Sequence, residues 1–152
     1  MKVLTMPEIY FEIPGEPVAK GRPKFSTKGG FPRAYTPKNT VDYEKFVTLC
    51  AIDSGMVPPT PLDCPISLFV TFVHERTQEL LKTSKKGVYK HPTGRIKKTT
   101  KPDVSNQIKS VEDGLNHAGV WKDDSRIFRL NCEKYWAAIG EEPHAEVIIA
   151  WD

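Results

Sequence analysis

Apolar residues recur at distinct spacings along the chain, and each spacing predicts a kind of element. In EIYFEIPGEP, Ile9, Phe11 and Ile13 alternate with other residues, which predicts a strand that stops at the Pro-Gly pair. The stretch CPISLFVTFVHE is apolar at consecutive positions and rich in β-branched and aromatic residues, as expected of a central strand. DSRIFRLNCEKYWAAIG and AEVIIAW predict two more strands, joined by a turn at GEEPH.

A spacing of three and four residues predicts the first helix. Asn39 or Thr40 can cap its start, and the helix should end near Gly55, before a Pro-Pro break. Its apolar stripe is Tyr43, Phe46, Val47 and Cys50. With a second helix after the central strand, the order becomes β-α-β-α-β-β. This order predicts an α+β fold, in one domain over residues 1–152, with helices packed on a mixed sheet of about four strands.

The second helix should begin at Asp103, run to about Asn116 and close at Gly119. At about 100° per residue, one arc is apolar and consists of Val104, Ile108, Val111 and Leu115. The opposite arc carries Asp103, Asn106, Lys109 and Asp113, with Ser105 on its flank. Taken alone, this pattern is typical of an ordinary surface helix with an aspartate N-cap and a Lys109–Asp113 pair.

A second acidic group follows one short helix later and changes that interpretation. The sequence WKDD places Asp123 and Asp124 together at a predicted turn. Carboxylates are the ligands that Mg²⁺ prefers in proteins. The pair together with Asp103 therefore forms a candidate metal site.

Basic residues are concentrated in two segments. Residues 20–38 contain six Lys or Arg, residues 82–101 contain eight, and neither window contains Asp or Glu, although the net charge of the chain is only +3. The first segment predicts an irregular loop or loose hairpin, and residues 76–101, which lack a sustained period, predict a mobile loop. Two acid-free segments beside an acidic body favour binding to a polyanion, most often nucleic acid.

Other classes of protein are disfavoured. The longest apolar runs, such as ISLFV and VIIAW, are far shorter than a membrane span, and the N-terminal stretch lacks the apolar core of a signal peptide. Three cysteines without paired spacing argue against a disulfide framework or a zinc knuckle. These features indicate a cytoplasmic protein without a membrane partner.

The stretch KPDVSNQIKSVEDGLNHAGVWKDDSRI resembles the signature of the RusA-type Holliday junction resolvases, small endonucleases common in bacteria and their phages. Their pattern is K/R-x-D-x-D-N-x-x-K followed by D-x-L-x-x-x-G-x-W-x-D-D-x-x-I/V. PGEPVAKGRPKF and YTPKNTVDYEKFV also resemble the family's strand, basic loop and first-helix entry. The resemblance covers most of the chain except the segment 76–100.

This resemblance implies a homodimer that cuts four-way DNA junctions symmetrically with Mg²⁺, for which Mn²⁺ can substitute. It implies no small-molecule substrate. Asp103 and Asp124 correspond to metal-binding catalytic aspartates, Lys109 to the catalytic lysine and Asn106 to the asparagine of D-x-D-N; Asp123 is a further candidate ligand. Further DNA contacts are expected from the basic residues Lys20, Arg22, Lys24, Lys28, Arg33, Lys85, Lys86, Lys97, Lys98 and Lys101.

Ser105 stands where the family has the second aspartate of D-x-D-N. A hydroxyl is neutral and short, so a metal should bind more weakly there. Three explanations remain open: compensation by Asp123, Asp113 or Glu112, loss of catalysis with retention of junction binding, or a substituted active site. An RNA-binding regulator is a weaker alternative, because basic loops do not distinguish DNA from RNA.

Overall fold

The computed structural model describes residues 6–21, 24–26, 29–30, 33–35 and 38–152. Seven strands and two helices follow one another along this part of the chain. They are β1 (Glu8–Pro14), β2 (Lys24–Ser26), β3 (Arg33–Tyr35), α1 (Lys38–Asp53), β4 (Ile66–His74), β5 (Ile96–Lys97), α2 (Val104–Ala118), β6 (Ile127–Trp136) and β7 (His144–Trp151). Short 3₁₀ turns lie at Glu79–Leu81 and Asp124–Arg126.

Five strands form one mixed sheet in the order β1-β7-β4-β6-β5. β4 pairs parallel with β6 and antiparallel with β7, and the remaining pairs are antiparallel. The predicted α+β fold with a mixed sheet is therefore confirmed. β4 is central as predicted, and its residues Leu68, Val70 and Phe72 are buried against the helices. The sheet has five strands rather than about four because β5 forms within the basic segment.

The two helices contact each other and contribute the other half of the core. Ile108, Val111 and Leu115 of α2 are buried as predicted, but Val104 is 36% exposed because it lies in the first turn. On α1, the buried stripe is Thr40, Tyr43, Val47 and Ala51. Phe46, predicted to lie in this stripe, is 38% exposed. The small residues Thr40 and Ala51 face the core in place of Phe46. The buried face of α1 is therefore turned about the helix axis from the predicted one.

Polar side chains buried beneath α2 connect it to the sheet. His74, at the end of β4, lies with Nδ1 2.6 Å from Glu16 Oε1 and Nε2 2.6 Å from the Gln107 amide nitrogen. The Ser110 hydroxyl donates to the backbone oxygen of Val18 at 2.8 Å. These contacts fix the first two turns of α2, where the candidate ligands lie. In the described residues, no helix is long and apolar enough to cross a membrane.

The segment 76–101 has a defined structure, contrary to the expectation of a mobile loop. The buried Arg76 guanidinium donates to four backbone oxygens and so organises the segment: those of Leu80, Pro92, Gly94 and Ala137. Arg95 binds two carboxylates beyond it, Glu141 at 2.7 Å and Glu146 at 2.9 Å. Hydrogen bonds of side chains to backbone follow no sequence period, so the pattern of apolar residues did not predict them.

The first basic segment contains the hairpin that was one of its two predicted forms. β2 pairs antiparallel with β3, with Lys24 opposite Tyr35. The side chains of four predicted DNA contacts lie outside the described residues, so their role stays a prediction: Arg22, Lys24, Lys28 and Arg33.

Candidate active site

Asp103 occupies the N-cap position of α2, with φ −68° and ψ 145°. Its backbone oxygen accepts hydrogen bonds from the amides of Asn106 and Gln107, both at 3.1 Å. Within the described residues, however, its side chain makes no capping hydrogen bond. Asp103 is therefore the N-cap by position, as predicted, although its carboxylate does not bond to the helix start. The exposed carboxylate retains its oxygens for another ligand.

Lys109 links α2 to the acidic turn. Its ammonium lies 3.6 Å from Asp124 Oδ2 and 3.8 Å from Asp113 Oδ1. Asp113 also pairs with Lys20, whose ammonium lies 3.7 Å from Glu44 Oε1. Opposite charges therefore alternate along a continuous row from α1 to the turn. Sequence periodicity predicted the Lys109–Asp113 pair, whereas the approach of Asp124 depends on how the chain returns after α2.

The acidic turn is held by its own backbone and by Trp121. Trp121 is 2% exposed, and its indole nitrogen donates to the Asn116 side chain. The Asp123 carboxylate accepts from the Ser125 amide at 2.8 Å, and this hydrogen bond lowers the pKa of Asp123. One Asp123 oxygen is thus used to build the turn. Asp124, one residue later, directs its carboxylate to Lys109.

Ser105 is exposed in the first turn of α2, and the three proposed substitutes for a carboxylate there differ in their surroundings. Asp113 is paired with two lysines, and Asp123 caps the 3₁₀ turn. Glu112 lies two helical turns beyond Ser105 on the same side of α2. Burial raises its pKa, Lys109 opposes this effect, and the charges of Asp124 and Asp113 add to it. Glu112 is therefore close enough to Asp124 to feel its charge.

A groove of about 610 Å³ opens beside Asp103. It is lined by Ala19, Lys20, Gly21, Lys101, Pro102, Asp103 and Asn106. One backbone hydrogen bond attaches the start of the first basic segment to α2 at the groove wall, since the Lys20 amide donates to the Asn106 backbone oxygen at 2.9 Å. The groove thus combines a carboxylate with two lysines, a composition suited to a phosphate and its counter-ion.

Two lysines hold the chain just before Asp103, and one of them corrects a prediction. Lys98 is only 6% exposed, and its ammonium donates to Thr100 Oγ1 and the Lys101 backbone oxygen, both at 2.7 Å, while it lies 4.1 Å from the Trp136 ring centroid. Burial and the nearby charge of Lys134 lower the pKa of Lys98. Lys98 therefore serves the fold, since its ammonium is directed inward rather than toward DNA.

Lys134 was not singled out from the sequence. It follows Glu133 in a strand and carries no motif. Its ammonium donates to the backbone oxygens of Thr100 at 2.5 Å and Pro102 at 2.7 Å. Together with Lys98, it fixes the backbone that leads into Asp103.

The remaining described candidates lie at the surface. Lys85, Lys86, Lys97 and Lys101 are exposed, as DNA contacts must be, and Asn106 is exposed on the first turn of α2. Lys20 differs because it is part-buried, and its hydrogen bond with Asp113 raises its pKa. Its charge is already compensated within the protein.

Three ligand atoms within 4.8 Å of one another occur at another place in the described chain. This group is Glu12, His144 and Glu146, on the sheet face away from the helices. Arg95 and His144 already bind the Glu146 carboxylate. Asp103 and Asp124 do not belong to a group of this kind. A Mg²⁺ site does not require three protein ligands, because Mg²⁺ commonly takes one or two carboxylates and completes its octahedron with water and phosphate.

A carboxylate at a helix start in a groove with two lysines, and a further lysine on the same helix that faces a second carboxylate, are typical of proteins that act on nucleic-acid phosphates. The family model for endodeoxyribonuclease RusA matches residues 14–150. This chain therefore belongs to the RusA endodeoxyribonuclease family. It is also 38% identical over 141 residues to the uncharacterized protein YqaN of Bacillus subtilis (strain 168), covering 93% of this chain and 94% of that protein.

Proposed function

We propose that this protein is a Mg²⁺-dependent endonuclease that resolves four-way DNA junctions by symmetric phosphodiester hydrolysis. The observation that carries the proposal is the 3.6 Å approach of the Lys109 ammonium to Asp124 Oδ2, in a RusA-family chain whose helix α2 also presents Asp103 to a groove with two lysines. Lys109 and Asp124 belong to the two separate parts of the family signature. Residues of one active site must lie close together in the fold, as these two do.

Asp103 and Asp124 would hold the metal. Bound Mg²⁺ would polarise the scissile phosphate and activate a water molecule, and Mn²⁺ could take its place. Lys109 would stabilise negative charge that develops on the phosphate oxygens, because its ammonium is half-exposed and free to move from the carboxylates toward a substrate. Asn106, on the groove wall, would contact a backbone phosphate.

Glu112 is the best substitute for the carboxylate missing at position 105. It is half-buried and within the electrostatic influence of Asp124, and no ion pair engages it in the described part of the chain. Asp113 and Asp123 are less suitable because each is already bound within the protein. In this role, Glu112 would lose its proton when a cation binds, since the positive charge of the cation would offset the burial that raises its pKa.

A homodimer is part of the proposal because symmetric cutting requires two active sites related by a two-fold axis. Exposed apolar residues offer surfaces for such an interface, namely Leu49 and Ile52 on α1 and Phe128 and Leu130 on β6. Sedimentation at micromolar concentration should detect a dimer. Detection of monomer alone would contradict this part of the proposal.

Cleavage of a synthetic four-way junction, measured against Mg²⁺ concentration, tests the proposal. Asp103→Asn and Asp124→Asn should each reduce the cleavage rate by about 10²-fold or more, since each removes a charge at the reacting centre. Asp42→Asn, which removes an exposed carboxylate from α1, is the control and should keep the rate of the original protein. Equal rates for the control and both site variants would refute the assigned site.

A junction-binding protein without nuclease activity is the second candidate. Ser105 favours it, because this position offers a hydroxyl where the family signature has a carboxylate. Binding without cleavage at any Mg²⁺ or Mn²⁺ concentration would support this candidate. In that case, Asp124→Asn should leave junction affinity unchanged or improve it, because it removes a negative charge near the DNA.

A further inference from the structure

We propose that Asp63 is a positioning residue: it pairs with two cations of the acidic turn 120–126, Lys122 and Arg126, and so keeps them from forming salt bridges with Asp123 and Asp124. The inference rests on the proposed metal site. It adds a residue that lies outside the motif, about sixty positions before the carboxylates it serves.

Asp63 uses each of its carboxylate oxygens for a different cation. Its Oδ1 accepts from Arg126 Nε at 2.6 Å, and its Oδ2 lies 3.5 Å from Lys122 Nζ. In the sequence, Lys122 directly precedes the Asp123–Asp124 pair and Arg126 follows it after one residue. The carboxylate therefore bridges the two ends of the turn from outside. The hydrogen bond from Arg126 and the charge of Lys122 lower the pKa of Asp63, so it is ionised at neutral pH.

The backbone around Asp63 is attached to the same turn. The Leu62 amide donates to the Val120 oxygen at 3.0 Å, and the Lys122 amide donates to the Leu62 oxygen at 2.8 Å. Leu62 and Trp121 form an isolated parallel bridge. Asp63 is consequently placed against the turn by main-chain contacts, and its position does not depend on its salt bridges.

The two cations would otherwise compete with a metal ion. Arg126 lies only two residues after Asp124, its guanidinium remains charged at all relevant pH values, and its planar fork suits a carboxylate. If Asp63 lost its charge, Arg126 and Lys122 would be free to pair with Asp123 or Asp124. A divalent cation would then have to displace them before it could bind.

The contribution of Asp63 to fold stability should be small. Its side chain is 53% exposed, and those of Arg126 and Lys122 are 37% and 63% exposed. Salt bridges at such exposed positions contribute little because water and salt screen them. An effect of Asp63 on metal binding can therefore be separated from an effect on folding.

The test measures Mn²⁺ binding to the full chain by electron paramagnetic resonance, without DNA. Asp63→Asn should raise the dissociation constant by about tenfold, because Mn²⁺ would then have to displace a released cation from a carboxylate. Glu79→Gln is the matched control, because it also removes one negative charge but releases Lys82, in the segment 76–101. Its dissociation constant should equal that of the original protein.

A second substitution distinguishes positioning of the cations from a structural role. In the Asp63→Asn background, Arg126→Gln removes the released cation and should restore most of the Mn²⁺ affinity. A turn that has simply lost its shape would not recover by this change. Asp63→Glu, which retains the charge that holds the two cations, should bind Mn²⁺ within about threefold of the original protein, well below the tenfold loss expected for Asp63→Asn.

The outcomes separate this inference from the proposed function. If Asp124→Asn weakens Mn²⁺ binding but Asp63→Asn does not, the metal site stands and the role of Asp63 is refuted. Failure of Arg126→Gln to restore the affinity would also refute it. If Asp124→Asn binds Mn²⁺ as well as the original protein does, both the metal site and the role of Asp63 are overturned.

Discussion

Gly114 should not tolerate even an alanine, although it lies in the interior of α2. A Cβ atom at this position would lie 2.7 Å from both Cβ and Cγ1 of Val47 and 2.9 Å from the Glu44 backbone oxygen. The Gly114 oxygen also accepts a hydrogen bond from Thr48 at 2.7 Å. This glycine therefore sets the distance at which α1 and α2 cross.

Two effects of opposite sign decide the result. Alanine in place of glycine stabilises a helix interior by about 1 kcal/mol. Overpacking of a filled core costs about 1–3 kcal/mol, and the upper part of that range applies here, since the contacts involve a β-branched carbon and a backbone atom. We therefore expect Gly114→Ala to destabilise the protein by about 1–2 kcal/mol. This corresponds to a fall in melting temperature of about 2–8 °C.

Thermal denaturation followed by far-UV circular dichroism measures this change. Gly94→Ala is the control, because its added Cβ meets nothing within 4 Å and its φ is not positive. It should leave the melting temperature unchanged or raise it slightly. Gly114→Ala should cost less in a Val47→Ala background, where the contact with Cγ1 is gone. A melting temperature at or above that of the original protein would refute the close crossing of the two helices.

Two further predictions concern the candidate site and the pH dependence of stability. Ser105→Asp should raise junction cleavage and tighten Mg²⁺ binding if position 105 is a vacancy. If a neighbour such as Glu112 already acts there, the original protein should cleave junctions well and the substitution should be nearly neutral or harmful, whereas a variant that cuts no faster than a weakly active parent would refute the proposed site. Glu146→Gln should lower the melting temperature by about 1–4 °C, because it breaks ion pairs worth up to about 1 kcal/mol. The hydrogen bond from Arg95 lowers the pKa of Glu146 below its usual 4.5, so this contribution exists above about pH 4.5 and is lost as the pH falls through the lowered pKa. Burial opposes a charge on His144, but hydrogen bonds to Glu142 and Glu146 raise its pKa above 6.5, so its contribution is full below pH 6.5 and is lost as the pH rises through the raised pKa. Melting curves from pH 3 to 9 should thus show the largest effect of Glu146→Gln at about pH 4.5–6.5, and an effect that does not vary with pH would contradict the role of this charge cluster.

Most of the sheet could be predicted from the sequence because burial imposes a period on each strand. Ile9, Phe11 and Ile13 alternate and are all buried on the helix side of β1. In β4, Leu68, Val70 and Phe72 alternate on the face that the helices cover. β5 could not be predicted in this way, since two residues are too few to show a period. It forms because the segment before it is fixed by the buried Arg76.

The sequence predicted which candidate site residues share the exposed side of α2, but it did not predict the contact between α2 and the acidic turn. Helical geometry places Asp103, Ser105 and Lys109 on the accessible side of α2 from their spacing alone. The distance from Lys109 to Asp124 depends instead on the return of the chain through 120–126, which the backbone of Leu62 holds in place. Such a contact between distant segments leaves no local pattern in the sequence.

The basic residues show why charge composition overestimates a DNA-binding surface. Residues 82–101 contain eight Lys or Arg, yet three of these are already engaged: Lys82 with Glu79, Arg95 with Glu141 and Glu146, and Lys98 with backbone oxygens. Each phosphate contact contributes about −0.9 to the slope of log K against log salt. The segment can therefore contribute a slope of about −4 to −5, rather than the −7 that eight contacts would give. The engaged cations affect DNA binding only indirectly. Lys98 and Arg95 hold the backbone of the segment 76–101 in place, and the exposed lysines extend from this backbone.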